Sequence, residues 1–338
     1  MFQVVDAPER PTSAVPVSDS ATSDSGTVGG NASREVTDPV VGARRPLRSR
    51  LRRGVVPYLY LIPASAMLVM WTYRPLAQAF QLSTVEWNLL PTSPIRAVGA
   101  DNYRALADLP ALGDSIWLTV VLILGLLPFT IVIPVVVGFA MRGVSLRSSR
   151  IYQGLIFAPF LVAPVAGAAV WRWLLDPGGG IVNRVLGVDV NWIYDTRTAQ
   201  LAIVVITGWH LVGFAVLAVA AGLAGISTDY DEAAQIDGAR RRQIAMRITL
   251  PLLSPTLVFL TLMTVSLGAQ WSFPLIDTLT QGGPSGATTN IYYLMWDFGF
   301  DSFNAGLSSA TGMVLFVGFA IVAGALVWLS ERITFHDR

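Results

Sequence analysis

The chain of 338 residues contains no cysteine and no lysine; all 23 of its basic residues are arginine. Without cysteine there are no disulfides, thiolate metal sites or cysteine nucleophiles. Without lysine the run Gly178-Gly179-Gly180 cannot be a P-loop, which needs a lysine on the phosphates. If ATP powers this protein, a partner chain binds the ATP and its Mg, and no cofactor or metal-ligand set is expected here. Charge of either sign is scarce: 13% of residues are charged against 53% hydrophobic, and the mean hydropathy is +0.56. That balance excludes an ordinary soluble domain, and a net charge of +1 gives no reason to expect a nucleic-acid partner.

Residues 1–43 are rich in Ser, Thr, Pro, Gly and Asp, with no sustained apolar run. They read as a disordered cytoplasmic tail, and the missing apolar region after the start argues against a signal peptide. A basic juxtamembrane segment, 44–54, follows with Arg44, Arg45, Arg48, Arg50, Arg52 and Arg53. Six later stretches are long and apolar enough to span a bilayer: 55–79, 115–141, 151–175, 201–226, 252–275 and 307–329. The third and fifth carry prolines (Pro159, Pro164, Pro255, Pro274), which a helix inside a bundle tolerates. With the amino terminus inside, fifteen arginines flank the cytoplasmic side and five the outer side, as the positive-inside rule requires. The predicted fold is an all-α integral membrane protein of six transmembrane helices with both termini cytoplasmic.

No Asp or Glu lies in the middle of any predicted span. A proton-coupled carrier needs such a group for its coupling ion, so secondary transport has no visible engine. Ionisable groups in or near the spans are His210, Arg172, Arg74 and Asp277, the last three near outer ends where snorkelling makes charge cheap. His210 reads either as a buried neutral ring with a hydrogen-bond partner or as a contact to a solute. In the fifth span, Thr261, Thr264 and Ser266 suit backbone or helix-to-helix hydrogen bonds. Gln270 beside Trp271 is the stronger solute candidate, since an amide and an indole together can bond hydroxyls and stack on a sugar ring. Aromatic residues near the outer interface (Trp87, Tyr103, Trp192, Tyr194, Tyr292, Tyr293, Trp296) fit a headgroup belt or contacts to an extracytoplasmic partner.

Between the fourth and fifth spans lies a polar loop, 227–251, on the cytoplasmic side. Glu232-Ala233-Ala234 is followed by Gln235-Ile236-Asp237, then Gly238, then nine residues, then Ile248-Thr249-Leu250-Pro251. Asp231 and Glu232 suit the start of a short helix, where the dipole favours acids. Ala233 and Ala234 permit close approach of a partner surface, and Gly238 can supply a bend. Arg240, Arg241 and Arg242 offer charge to a partner or to anionic lipid, and Pro251 suits the first turn of the next span.

This pattern resembles the coupling loop of permease subunits in binding-protein-dependent ABC importers of the maltose/glycerol-3-phosphate type. The likeness extends over about 55–335, taken as the permease domain. Gly99-Ala100-Asp101-Asn102-Tyr103 and Thr280-Gln281-Gly282-Gly283-Pro284 are similar to elements after the first and fifth spans of sugar-importer permeases. Pro159, Pro164, Trp171, Trp173, Asp176, Pro177, Gly180 and Asn183 resemble the third span and outer loop. The resemblance implies a multi-pass protein of the bacterial inner membrane, paired with a second homologous permease, two ATPase subunits and an extracytoplasmic substrate-binding (lipo)protein. It implies coupling residues Glu232, Ala233, Ala234, Asp237, Gly238, Arg240 and Arg241. The spacings of the maltose-importing member place solute contacts near Leu211 to Phe214 and Thr264 to Trp271. With His210, that gives a path of His210, Leu211, Phe214, Thr264, Gly268, Gln270 and Trp271. The absence of a deep arginine tilts the solute towards a neutral sugar, with glycerol-3-phosphate or glycerophosphodiesters as the alternative. An enzyme reading lacks a site, because the spans hold no aspartate pair, serine-base pair or H-E-x-x-H. A membrane scaffold would explain the topology but not the loop.

Overall fold

The computed structural model describes residues 60–333. The expected tail, 1–43, and basic segment, 44–54, lie outside the described residues, as does the start of the first expected span. The fold is that of the unit Ile62–Arg338.

That unit is almost wholly helical. Helix α1 runs through residues 62–82 with a π-helical turn at Val69–Tyr73, and α2 is Asp101–Asp108. The strands β1 (Val85–Glu86) and β2 (Arg96–Ala97) pair antiparallel between them, Val85 opposite Ala97. Helix α3, Pro110–Met141, is continuous and carries a π-helical turn at Pro128–Val132. Helices α4 (Leu146–Phe157), α5 (Pro164–Leu174) and α6 (Ile181–Leu186) precede the long α7, Thr196–Ala224. On the expected cytoplasmic side lie α8, Thr228–Ile236, and α9, Arg241–Ile244, the latter prolonged by a π-helical turn to Leu250–Leu252. Then come α10 (Ser254–Leu279), α11 (Ile291–Trp296) and α12 (Ala305–Ile333).

Among the described residues four helices are long and apolar enough to cross a membrane: α3, α7, α10 and α12. A fifth crossing arises if α4 and α5 count as one. The third expected span, 151–175, is not a single rod: its two helices are bent by 93°. Proline is the reason. A short 3₁₀ turn, Ala158–Leu161, ends in Val162 and Ala163 at ψ 128° and 130°, and Pro164 opens α5. A proline disfavours helical geometry in the residue before it and fits the first turn of a new helix. Pro274, inside α10, breaks nothing. Pro251 is also displaced from its expected place: it belongs to Leu250–Leu252, and Pro255 takes the first turn of α10 instead.

Helix α7 is the hub. It packs on both halves of α3, on α4 and its 3₁₀ turn, and on α10, while α12 covers α1, α2, α10 and α11. Two thirds of the most apolar window of α7 is buried (67%), against 0% for α12. Apolar side chains left uncovered on helices of this hydropathy suit lipid or another membrane subunit, not water. Small residues let the hub close. A Cβ on Gly125 would meet Val204 Cγ1 at 2.9 Å, and one on Gly138 would meet Val219 Cγ1 at 2.7 Å. Close helix contact at glycine is the usual device where lipid removes any hydrophobic advantage of burial.

Two motifs noted in the sequence are ties on the side expected to be outer. Asn102 is buried and donates from Nδ2 to the carbonyls of Ser83 and Val85, both at 2.9 Å. The Tyr103 hydroxyl lies 2.7 Å from Ser83 Oγ, so Asn-Tyr clamps the turn that leaves α1. In the second motif Gly282 has φ +78°, which an L side chain resists. The hydroxyls of Thr280 and Thr288 lie 2.7 Å apart, and Thr289 Oγ1 donates to the Gly282 carbonyl.

Candidate functional site

The loop between the fourth and fifth expected spans is two short helices with a bend between them. Ser227 caps α8, its hydroxyl accepting the Asp229 amide at 3.2 Å. The helix therefore begins at Thr228, a turn before the expected Asp231 and Glu232, because a serine cap outcompetes an acidic start. Asp229 and Asp231 occupy the first turn and Glu232 the second. The carboxy-terminal end closes at Gly238, φ +78°. The Gly238 amide bonds the Gln235 carbonyl and the Ala239 amide bonds the Ala234 carbonyl, the paired bonds of a left-handed helix stop. Nothing lies within 4 Å of where a Cβ on Gly238 would stand, so backbone conformation and not space selects glycine there. Gln243 Oε1 then accepts the Arg240 amide at 2.8 Å and starts α9.

The two faces of α8 differ. Ala234 is buried and Asp231 half-buried, whereas Glu232, Ala233, Asp237 and Gly238 are exposed and Ile236 is 87% exposed. Glu232 makes no side-chain hydrogen bond or ion pair among the described residues. An isoleucine and a glutamate one turn apart, both uncovered, form an amphipathic face that this chain does not use. Arg240 and Arg241 are exposed beside it.

The residues expected along a solute path separate into three groups. His210, Phe214 and Trp271 join an aromatic cluster inside the chain. Phe160 stacks on Phe214 at 5.4 Å and on Trp271 at 5.1 Å, and the His210 ring is 6.5 Å from Trp271. His210 is 1% exposed; its Nδ1 lies 3.2 Å from the Ile206 carbonyl, while Nε2 has no hydrogen-bond partner. That bare nitrogen faces α5: a Cβ on Gly167 would stand 3.0 Å from it. Leu211, Thr264 and Gly268 form the second group and serve packing. Thr264 Oγ1 is 2.8 Å from Thr130 Oγ1 and 2.7 Å from the Leu260 carbonyl, and a Cβ on Gly268 would meet Leu126 Cδ1 at 2.8 Å. Around Leu211, Phe160, Phe214 and Thr264 remains a cavity of about 20 Å³, too small for any sugar. Gln270 stands apart. It is exposed, with Ser266 one turn away and Phe259 two turns beyond, on a stripe of α10 turned out of the chain.

Phe160 was not singled out from sequence, and the break between Pro159 and Pro164 that aims its ring into the cluster was the available signal. Asn290 was also missed. It is 2% exposed, caps α11 by accepting the Tyr293 amide, and donates to Ser272 Oγ at 2.8 Å. Arg172, expected near an outer end, stands in the last turn of α5 and donates to the Thr278 carbonyl at 3.4 Å. Of the outer aromatics, Trp192 donates to Asn183 Oδ1 at 2.6 Å and Tyr293 is buried against Phe273 and Trp296, so these two are held by the chain itself. In the π-helical turn Asp297–Asp301 that follows α11, burial and then the neighbouring Asp301 hold the Asp297 carboxyl above the ordinary carboxylate range.

Comparison with known proteins places these features in context. The profile of a family described as "Binding-protein-dependent transport system inner membrane component" matches residues 43–335. The sn-glycerol-3-phosphate transport system permease protein UgpA of Escherichia coli O157:H7 is 32% identical over 276 residues, covering 79% of this chain and 91% of the relative. A chain of a bacterial ABC transporter involved in import of the acidic polysaccharide alginate has the same fold. Its TM-score is 0.72 at 23% identity, covering 86% of this chain and 99% of that one. A bacterial alginate ABC transporter in complex with an alginate pentasaccharide-bound periplasmic protein gives 0.70 at 23% identity, with coverage of 86% and 99%.

Proposed function

The chain belongs to the family of inner membrane components of binding-protein-dependent transport systems, and from that premise we propose how it works and what it carries. It is the permease subunit of a carbohydrate-type ABC importer, and ATP is hydrolysed elsewhere. Six spans with both termini in the cytoplasm are the reading that arginine bias supports, α1 and the α4–α5 pair supplying the two crossings beyond the four unbroken ones. In that frame α8 and α9 are coupling helices on the cytoplasmic face. The observation that carries the reading is the uncovered face of α8, with Glu232 beside Ala233 and Ile236. A helix held by one face and bare on the other is the shape a docking element needs.

Two such permeases enclose the route between them, two ATPase subunits dock below, and an extracytoplasmic binding protein delivers the solute. The small interior cavity supports a route outside this chain's own core, along the α10 stripe that carries Ser266 and Gln270. For the solute we propose a neutral sugar or polyol, because the described spans bring no arginine to that stripe. The similarity to a permease named for sn-glycerol-3-phosphate favours a second reading in which the partner subunit supplies the charge. Uptake of labelled disaccharides, sn-glycerol-3-phosphate and glycerophosphodiesters by cells lacking this chain tests both. The label lost, and regained with the wild-type chain, names the solute; loss of none removes both solute readings.

Gln270→Ala removes no hydrogen bond or ion pair among the described residues. It is expected to raise the KM for uptake about two- to tenfold, the worth of one hydrogen bond to a neutral group, at unchanged membrane level. An unaltered KM takes Gln270 off the route.

A further inference from the structure

We infer that Arg142 and Asp231 form an ionic clasp through which movement of α8 is carried into α3. The inference rests on the reading of α8 as the ATPase-docking helix. Arg142 is the residue at which α3 ends, and its Nη1 lies 3.1 Å from Asp231 Oδ2, joining residues 89 apart in sequence. Both side chains are largely covered, 33% and 28% exposed. The guanidinium also sits over the Phe139 ring, 5.6 Å from its centroid, which limits the directions in which it can reach. Asp231 is the immediate neighbour of Glu232, so the clasp grips α8 beside its bare face.

The grip continues into the bundle. Gly138, one turn before Arg142, lets α3 sit against α7 so closely that a Cβ there would stand 2.7 Å from Val219 and 3.0 Å from Leu223. Helix α8 is joined to α7 through Gly225, Ile226 and Ser227 and buries Ala234; the clasp adds a tie from α8 to α3. With it, a push on Glu232 and Ile236 reaches the inner end of the second expected span directly. A partly exposed ion pair contributes little net stability, so breaking this one displaces α8 more than it unfolds the chain. The pairing is also unfinished. Asp231 Oδ1 is buried without a hydrogen bond, and the residue lies beside a cavity of about 740 Å³ whose lining includes Arg142, Gln235, Arg241 and Arg242. A carboxylate with one oxygen unpaired depends on the cation it has.

The test uses the full complex, wild type and variants, reconstituted in liposomes with its binding protein, and reads solute moved per ATP hydrolysed. Arg142→Glu and Asp231→Arg are each expected to lower that ratio about tenfold, with ATPase subunits still copurifying. The double exchange, Arg142→Glu with Asp231→Arg, is expected to return it to within about threefold of wild type, since paired residues couple non-additively. The neutral variants Arg142→Gln and Asp231→Asn guard against failed assembly: they are expected to lower the ratio less, and together no more than either alone. Additive losses, or single variants indistinguishable from wild type, overturn the clasp. A wild-type complex that holds no ATPase subunit overturns the functional reading and the clasp with it. A working wild type without rescue overturns the clasp alone.

Discussion

Cells carrying Glu232→Ala in this chain are expected to lose solute uptake to background while the chain stays in the membrane at its wild-type level. The two halves of that expectation have separate physical grounds. Within the chain Glu232 is exposed in the second turn of α8 and bonds nothing among the described residues. Alanine is also the better helix former, so α8 loses no local stability. The cap at Ser227, the stop at Gly238 and the burial of Ala234 are all untouched. Any loss therefore arises in a partner. Removing one member of a buried, hydrogen-bonded charge pair at an interface costs about 2–5 kcal/mol, which is roughly thirtyfold or more in affinity. The measurement is uptake of the solute beside copurification of the ATPase subunits. Unchanged uptake would mean that the bare face of α8 is not where force enters.

Gly213→Val is expected to do the opposite: to remove the chain from the membrane regardless of any partner. Gly213 lies inside α7 where the end of α4 crosses it. A Cβ there would run into the Ile156 carbonyl oxygen and stand 2.6 Å from Phe157 Cα. Both are backbone atoms, so no rotamer change relieves the clash. Overpacking of a tight core costs about 1–3 kcal/mol when side chains can yield, and more when the backbone must shift. Because the crossing precedes the 93° bend, displacing it also displaces Phe160 from Phe214 and Trp271. Gly268→Ala makes the comparison, since its clash is with Leu126 Cδ1 alone, the far end of a flexible side chain. Membrane level and melting temperature in detergent check both; a Gly213→Val chain as abundant and as stable as Gly268→Ala would show that α4 and α7 are not locked there.

The helices most legible in the sequence were those whose reason is local. α3, α7, α10 and α12 follow from apolar runs, because a segment in lipid must satisfy its own backbone bonds and so announces itself by composition alone. The bend at Gly238 was readable for the same reason: a left-handed stop selects its residue type on the spot. The third expected span failed as a single rod although its prolines were in view. Pro274 sits inside an unbroken helix while Pro164 opens a new one after the extended Val162 and Ala163, and the ring is the same in both.

By itself, then, the sequence determined the class of protein, the apolar segments, the side of the membrane that the arginines favour and the residue chemistry of the loop 227–251. Each of these is written in neighbours a few residues apart. Only the tertiary structure decided which side chains meet. It set Thr264 against Thr130, stacked Phe160 on Trp271, turned Gln270 outward, and joined Arg142 to Asp231. Helical periodicity fixes the face on which a residue stands, but not the rotation and register of one helix against another. Those come from how glycines such as Gly125, Gly138 and Gly213 let the rods close.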